Sequence, residues 1–423
     1  MTSIQSATKQ SQLPKLRKVA IAGFHDFEVA LSSLVPSNID RSFEVHKLLK
    51  SYNEIFSKLE LLSMYFATKD ELCKFHDRSF IETLMRNRKC EDLTVVRSEV
   101  LEIIDKHSTM NQNQYEDEED LSNRDLETYG LKYDCPIFTH LPQYIKSVAG
   151  SSLTAARFIL KTQGETSETE ETPQCISINW NGGRHHSKKS HASGFCYVND
   201  ITLAILELRR KFDKVAYIDL DLHHGDGVEN AFKFSDKVLT ISMHRKEMGF
   251  FPGTGGLDDQ GVGKGKGWTV NLPLMHGLSD KSLLFVITEI VVPVLKESGV
   301  ECLVIQCGGD GLGSDDYKEW NLSIKGFGEA VDQLLLLGLP TVLLGGGGYN
   351  NSQMARLYTY LTAVAIGKKD YQFDILPEAG TLDADDTDGQ YEFWNVQGLK
   401  MIDDNDETYL RNLKTCILSR FNS

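Results

Sequence analysis

Paired cysteines are what this sequence most plainly lacks. Its eight cysteines (Cys73, Cys90, Cys135, Cys175, Cys196, Cys302, Cys307 and Cys416) are scattered and form no CxxC pair. Neither a zinc finger nor a disulfide scaffold is indicated, and a reducing compartment is expected. A basic excess is also missing: 45 Lys+Arg against 60 Asp+Glu leave a net charge of -15. That balance disfavours a general nucleic-acid or anionic-membrane binder, leaves room for a local basic patch, and favours a basic partner or substrate. No apolar run is long enough to span a membrane, because Leu283–Leu295 is broken by Thr288-Glu289 and Pro293, and Leu334–Leu344 by Gly338 and Pro340. Residues 1–18 are rich in Ser, Gln and Lys without an apolar h-region, so they read as a flexible tail and not as a signal peptide. No internal repeat is visible.

What is present is a globular chain of 423 residues, 41% hydrophobic, enough for a substantial core. Short Val/Ile/Leu-rich runs predict strands at Val19–Ala22, Cys175–Trp180, Val215–Ile218, Val238–Met243, Thr269–Leu272, Cys302–Gln306 and Thr341–Leu344. Helical patterns lie between them: Arg41 to about Leu62 and on to about Arg86, Ser151–Lys161, and Ile201–Phe212 with Asn199 and Asp200 as N-cap candidates. Strands that alternate with helices and lack polar alternation predict one α/β domain over 19–423, a parallel sheet covered by helices on both faces. Polar, acidic stretches near 108–125 and 162–173 are expected to be surface insertions without regular structure.

The densest chemistry lies in Tyr217-Ile-Asp-Leu-Asp-Leu-His-His-Gly-Asp226. Alternate residues of an extended chain share a face, so Asp219, Asp221 and His223 should project together, and Gly225 permits a bend that returns Asp226 to the same pocket. Buried carboxylates need cations, donors or protons. Asp221 and His223, with Asp310 from Gln306-Cys-Gly-Gly-Asp310, make a two-carboxylate, one-imidazole set suited to a catalytic Zn²⁺ with an open position. The same donors accept Fe²⁺ or Mn²⁺. Taken singly, each Asp reads equally well as a loop cap; the string as a whole is more specific than its parts. Gly182-Gly-Arg-His185-His186 puts two imidazoles on a strand-end loop, where they can move a proton if a carboxylate such as Asp219 or Asp226 backs each ring. Gly345-Gly-Gly-Gly-Tyr349-Asn350 lacks a P-loop Lys-Ser/Thr, so it argues against a nucleotide and for a tyrosine O–H aimed at an oxyanion. Ser193-Gly-Phe-Cys-Tyr197 and Gly249-Phe-Phe-Pro-Gly-Thr-Gly255 offer rings to wall an apolar channel.

Together, these five motifs, in this order between about Arg41 and Gly367, closely resemble the zinc-dependent class I histone deacetylases. The resemblance implies the arginase/deacetylase α/β fold, a single parallel sheet of about eight strands, and hydrolysis of N-ε-acetyl-lysine. It implies zinc on Asp221, His223 and Asp310, His186 with Asp226 as principal base and acid, and His185 with Asp219 as an electrostatic assistant. It implies Tyr349 on the acetyl carbonyl, Phe195 and Phe251 as tunnel walls beside Gly194, Asp134 as a rim carboxylate on the substrate backbone, and Arg41 near an internal acetate-release pocket. K⁺ is implied as a structural ion near Asp219, His223 and Ser242. Partners would be acetylated basic segments, a histone tail or a cohesin subunit, with corepressor or complex subunits; direct nucleic-acid and membrane binding are not expected. Localisation would be nuclear, cytoplasmic or both.

The chain departs from the family's common pattern at Gly309, usually Ala, and Gly311, usually Ser or Thr. Tyr317 stands at a mouth position that is usually Leu or Met, Arg184 at a bulky apolar position, and His191 at an acidic one. The Asp134-Cys-Pro-Ile-Phe, Gly308-Gly-Asp-Gly-Leu and Arg184-His-His segments look most like a fungal branch associated with deacetylation of a cohesin subunit. Two other readings compete: an arginase-type hydrolase with two bridged Mn²⁺ ions, and a catalytically silent acetyl-lysine-binding scaffold.

Overall fold

The computed structural model describes residues 16–86, 97–100, 122–162, 173–373, 392–394 and 401–421. The first fifteen residues, most of the two acidic stretches and the acidic run at 383–388 lie outside them.

Eight strands form one sheet in the order β2-β1-β3-β8-β7-β4-β5-β6, every pairing parallel. They are β1 (Arg17–Ile21), β2 (Glu60–Leu61), β3 (Gln174–Asn179), β4 (Val215–Asp219), β5 (Val238–Arg245), β6 (Thr269–Leu274), β7 (Cys302–Gln306) and β8 (Thr341–Leu344). A parallel sheet needs apolar cover on both faces, and the strands supply it by alternation. Ile21, Ile178, Ile218, Ile305 and Leu343 face a core that also holds Leu48, Val294, Phe327, Leu361 and Leu413, from the helices over Arg41–Ser51, Val292–Ser298, Ile324–Leu335, Asn351–Ala365 and Glu407–Leu418. Ala20, Tyr217, Val304, Val342 and Leu344 face the other side, against Ile159, Ile205 and Val228 from Leu141–Thr162, Asp200–Leu208 and Asp226–Phe232. Each Ile, Leu, Val or Phe among them, fully buried, contributes about 1.5–3 kcal/mol.

Seven strands fall where the apolar runs predict them, although β1 begins at Arg17, two residues before Val19. The eighth, β2, lies inside the stretch read as continuous helix. That helix ends at Ser51, because Tyr52 leaves the helical region (φ -88, ψ 71) and packs its ring against Phe373 and Phe393. The chain then reaches the sheet edge, where Leu62 N–H donates to Ile21 O at 2.9 Å. Both contacts are with residues distant in sequence, so local periodicity carries no trace of them. The end of the first acidic stretch is helical, Asn123–Thr128. The helix expected to begin at Ser151 starts at Leu141. No helix among the described residues is long and apolar enough to cross a membrane.

The order matters for the site. β3, β8, β7 and β4 are neighbours at the sheet's centre, and the loops leaving their carboxyl ends carry the glycine-histidine, tetraglycine, Gly-Gly-Asp and Asp-His motifs. Ligands in open α/β sheets collect beyond such ends.

Candidate active site and metal centre

The four loops, with the segments that carry Ser37, Asp134 and Phe251, enclose a cavity of about 250 Å³ lined by Asp134, His185, His186, Gly194, Phe195, Asp221, His223, Phe251, Tyr317 and Tyr349, and at its inner end by Ser37, Asn38 and Arg184. Thirteen of the fourteen site residues expected from sequence or resemblance are accounted for by this wall and the groups directly behind it. The fourteenth, Arg41, is buried below the cavity.

Asp221, His223 and Asp310 are buried, with one ligand atom from each within 4.8 Å of the others. His223 Nδ1 lies 2.9 Å from Asp310 Oδ2 and 3.4 Å from Asp221 Oδ1. Asp221 accepts Gln306 Nε2 at 2.8 Å and Gly347 N–H at 2.9 Å, and against its burial the charge of His185 and the bond and charge of His223 hold its carboxyl well below the usual carboxylate range. Burial and the charge of Asp221 push the Asp310 carboxyl up to about 7. Two buried carboxylates this close are relieved by a shared proton or by a cation between them. Backbone packs tightly around the group: a Cβ on Gly308 would stand 2.0 Å from Asp221 Oδ2. This hard-oxygen and imidazole set fits a divalent transition metal.

Strand alternation puts Asp219 one step behind this triad. Its Oδ2 takes His185 Nδ1 at 2.8 Å and the Tyr217 hydroxyl at 2.6 Å. Asp226 reaches the pocket as the first residue of the helix over Asp226–Phe232, and its Oδ1 lies 2.9 Å from His186 Nδ1. Gly225 is needed there for space and not for an unusual φ: its φ is -72, and a Cβ would sit 2.0 Å from Asp219 Oδ2.

The adjacent histidines are electrostatically opposite. Burial opposes charge on His185, but Asp219 and Asp221 outweigh it and raise the pKa to about 9. Burial, and then the charge of His185, push His186 down to about 3. One ring is therefore an imidazolium at neutral pH, while the other, with centroids 3.9 Å apart, is a neutral proton acceptor.

Tyr349 is held by its backbone: its N–H donates to Asp315 Oδ2 at 2.7 Å, and Tyr317 N–H donates to Oδ1 of the same carboxylate at 3.1 Å. Burial, then the charges of Asp310 and Asp221, raise the Tyr349 pKa well above the phenol range, so it keeps its O–H. Phe195 meets Tyr349 at 5.8 Å and Phe251 meets His186 at 4.9 Å between ring centroids. Tyr317, 39% exposed, crosses the mouth 4.8 Å from the His223 ring. Asp134 Oδ2 accepts Gly194 N–H at 2.5 Å. Arg41 donates to the carbonyls of Gly346, Gly347 and Gly348 at 2.9, 3.2 and 3.0 Å, anchoring the tetraglycine loop from below.

Sequence reasoning missed four supporting residues. The Lys188 ammonium pairs with Asp226 Oδ2; despite burial, this and the His186 bond hold Asp226 well below the usual carboxylate range. Asp200, read as an N-cap candidate, instead accepts Gly183 N–H at 3.0 Å and Arg184 N–H at 2.8 Å, while Asn199 caps the helix. Gln306 and Asp315 hold Asp221 and the Tyr349 loop. Lys188 stands two residues from His186, the one signal that could have found it.

Comparison with known proteins agrees with this geometry. A model of the histone deacetylase domain matches residues 35–365. Histone deacetylase 8 of Xenopus tropicalis is 38% identical over 341 residues, covering 80% of this chain and 82% of the relative. Histone deacetylase HOS1 of Saccharomyces cerevisiae is 34% identical over 391 residues (79% and 80%), and histone deacetylase HDAC1 of Drosophila melanogaster is 38% identical over 321 residues (76% and 54%). A buried acid–imidazole triad, an unequal histidine pair and a tyrosine on a glycine loop thus stand on a chain that belongs to the class I histone deacetylase family of metal-dependent lysine deacetylases.

Proposed function

We propose that the chain is a zinc-dependent protein lysine deacetylase that hydrolyses N-ε-acetyl-lysine in basic protein segments. The observation that carries this reading is the convergence of the Asp221, His223 and Asp310 ligand atoms in one cavity with a neutral His186 and a protonated Tyr349. When bound by those three residues, Zn²⁺ supplies a Lewis acid that polarises the acetyl carbonyl and acidifies water. Fe²⁺ suits the same donors, and a structural K⁺ is proposed beside Asp219, His223 and Ser242.

The chain's own groups do the rest. Phe195 and Phe251 flank the apolar stem of the lysine, and Asp134 holds the substrate backbone by its N–H groups. His186 Nε2 takes the proton of the attacking water while Nδ1–H stays on Asp226, which fixes the tautomer. Tyr349 O–H donates to the carbonyl oxygen as its charge develops, and the His185 imidazolium steadies the negative charge nearby. A C–O bond forms, the C–N bond breaks, and the departing amine takes the proton from His186. The products are acetate and lysine.

A net charge of -15 favours cationic substrates, and we propose histone tails or a cohesin subunit. The latter rests on the fungal-type Arg184-His-His and Gly308-Gly-Asp-Gly-Leu segments. Corepressor or complex subunits are proposed partners, in the nucleus, the cytoplasm or both. An arginase-type centre would need further bridging ligands, whereas Asp221, His223 and Asp310 are the one such group among the described residues.

The test is turnover of a fluorogenic acetyl-lysine peptide by zinc-loaded protein, beside a chelated sample and Tyr349→Phe. Loss of one oxyanion donor lowers kcat about 10²–10³-fold. No turnover by folded, metal-loaded protein would sink the reading and favour an acetyl-lysine-binding scaffold.

A further inference from the structure

The inner end of the cavity holds buried polar groups that no other described residue satisfies. Arg184 is only 5% exposed and lines this end. Its guanidinium makes one hydrogen bond, from Nη2 to Asn181 O at 3.2 Å, and its buried Nε has no partner. The Ser37 hydroxyl on the same wall is also buried and unpartnered. So are the hydroxyls of Tyr144 and Tyr358, which lie close enough to influence the proton affinity of both Arg184 and Arg41. Among the described residues no carboxylate stands within ion-pair distance of either guanidinium. Asp200, the acid beside Arg184, has its oxygens engaged by Ser152 Oγ and the N–H groups of Gly183 and Arg184. Arg41 is sated by neutral carbonyls, which satisfy its donors without cancelling its charge.

The charge of Asp200 favours the Arg184 cation from beyond hydrogen-bond distance, but no acceptor reaches its buried Nε, and an anion in the cavity would supply one where the Ser37 hydroxyl is idle too. Arg184 lines the same cavity as the triad residues Asp221 and His223. A planar carboxylate suits a guanidinium better than a sphere does. We propose that the inner end is a carboxylate subsite organised by Arg184, through which the enzyme accepts lysines whose short acyl chain itself ends in a carboxylate, such as malonyl or succinyl. This rests on the deacetylase reading and uses the same hydrolysis: water's oxygen bonds to the acyl carbon, the C–N bond breaks, and a dicarboxylate leaves with the protonated lysine amine. A departing monocarboxylate offers the same chemistry, and the experiment separates the two sources.

Peptides of one sequence carrying acetyl-, butyryl-, malonyl- or succinyl-lysine are compared with the full-length metal-loaded chain and its Arg184→Leu and Arg184→Lys variants. Acetate and succinate binding is measured in parallel by calorimetry without peptide. In Arg184→Leu, the kcat/KM ratio of the better acidic peptide to butyryl should fall about tenfold or more, as expected for one lost charge-assisted hydrogen bond. Arg184→Lys should restore part of that ratio, and succinate binding should weaken in Arg184→Leu. If wild-type protein leaves both acidic peptides intact while anion binding still depends on Arg184, the acidic-acyl specificity is overturned and the subsite serves only the leaving product. An unchanged ratio together with unchanged anion binding overturns the subsite itself. Failure on acetyl-lysine would count against the deacetylase reading instead, and calorimetry would still judge the subsite.

Discussion

Adding a single methyl group at Gly309, where the family usually has alanine, should destabilise this chain. A Cβ there would stand 2.3 Å from Met354 Sδ, 2.8 Å from Met354 Cε and 2.8 Å from Leu357 Cδ2. Comfortable contact is about 3.5–4.0 Å, so the thioether would have to retreat by more than an ångström. Met354 is 1% exposed and also fills the space beside Gly348, where a Cβ would meet its Sδ at 2.2 Å. Methionine is adaptable, but Met354 is buried and hemmed by both Gly309 and Gly348, and overpacking of this kind costs about 1–3 kcal/mol. For 423 residues at ~2.1 cal/mol/K each, the unfolding entropy is ~0.9 kcal/mol/K, so 2 kcal/mol lowers Tm by about 2 °C. Scanning calorimetry of Gly309→Ala, Met354→Ala and the double variant is the assay. Met354→Ala alone should cost about 2–5 kcal/mol through its cavity. The pair should then cost less than the sum by about 1–2 kcal/mol, because the new methyl occupies vacated space. Activity is a second readout, since Gly309 N–H donates to Gly347 O at 3.1 Å and ties the Asp310 loop to the Tyr349 loop. A Gly309→Ala variant as stable as wild type, or costs that add within about 0.5 kcal/mol, would refute the packing argument.

Three other outcomes are expected. Asp226→Asn, which disturbs the His186 tautomer while keeping its shape, should lower kcat about 10²–10⁴-fold with little change in KM; a pure KM effect would remove Asp226 from proton transfer. His76 is buried with Nδ1 toward the Lys188 and Lys189 carbonyls and Nε2 accepting Asn199 N–H, and burial lowers its pKa from 6.5 to about 4. The unfolded chain takes this proton first, so the contribution of about 3 kcal/mol is whole above pH 6.5, declines as pH falls and is gone below about pH 4. His76→Gln should therefore lose less Tm than wild type between pH 7 and 5, and parallel losses would contradict this. Chelation should lower Tm by about 3 °C if the metal is present at a hundred times its Kd, a gain of ~2.7 kcal/mol, whereas an unmoved Tm would mean that the triad holds no ion.

The sequence by itself determined the class of fold and most of the chemical groups. Strands such as Val215–Asp219 and Cys302–Gln306 are buried on both faces, so their composition announces them, and polar motifs beyond their ends announce a crevice. The candidate ligand set was legible because two carboxylates and a histidine at an apolar strand end are costly to bury together unless a cation, donors or a proton offset them. Tertiary structure alone decided what depends on contacts between distant segments. It ended the helix after Arg41 at Tyr52, placed β2 on the sheet edge, and turned Asp200 from a cap into the anchor of the histidine loop. It also divided the two adjacent histidines, one charged and one neutral. Their local sequence is the same, but Asp219 and Asp221 stand beside one ring, while the other lies next to the charge so created.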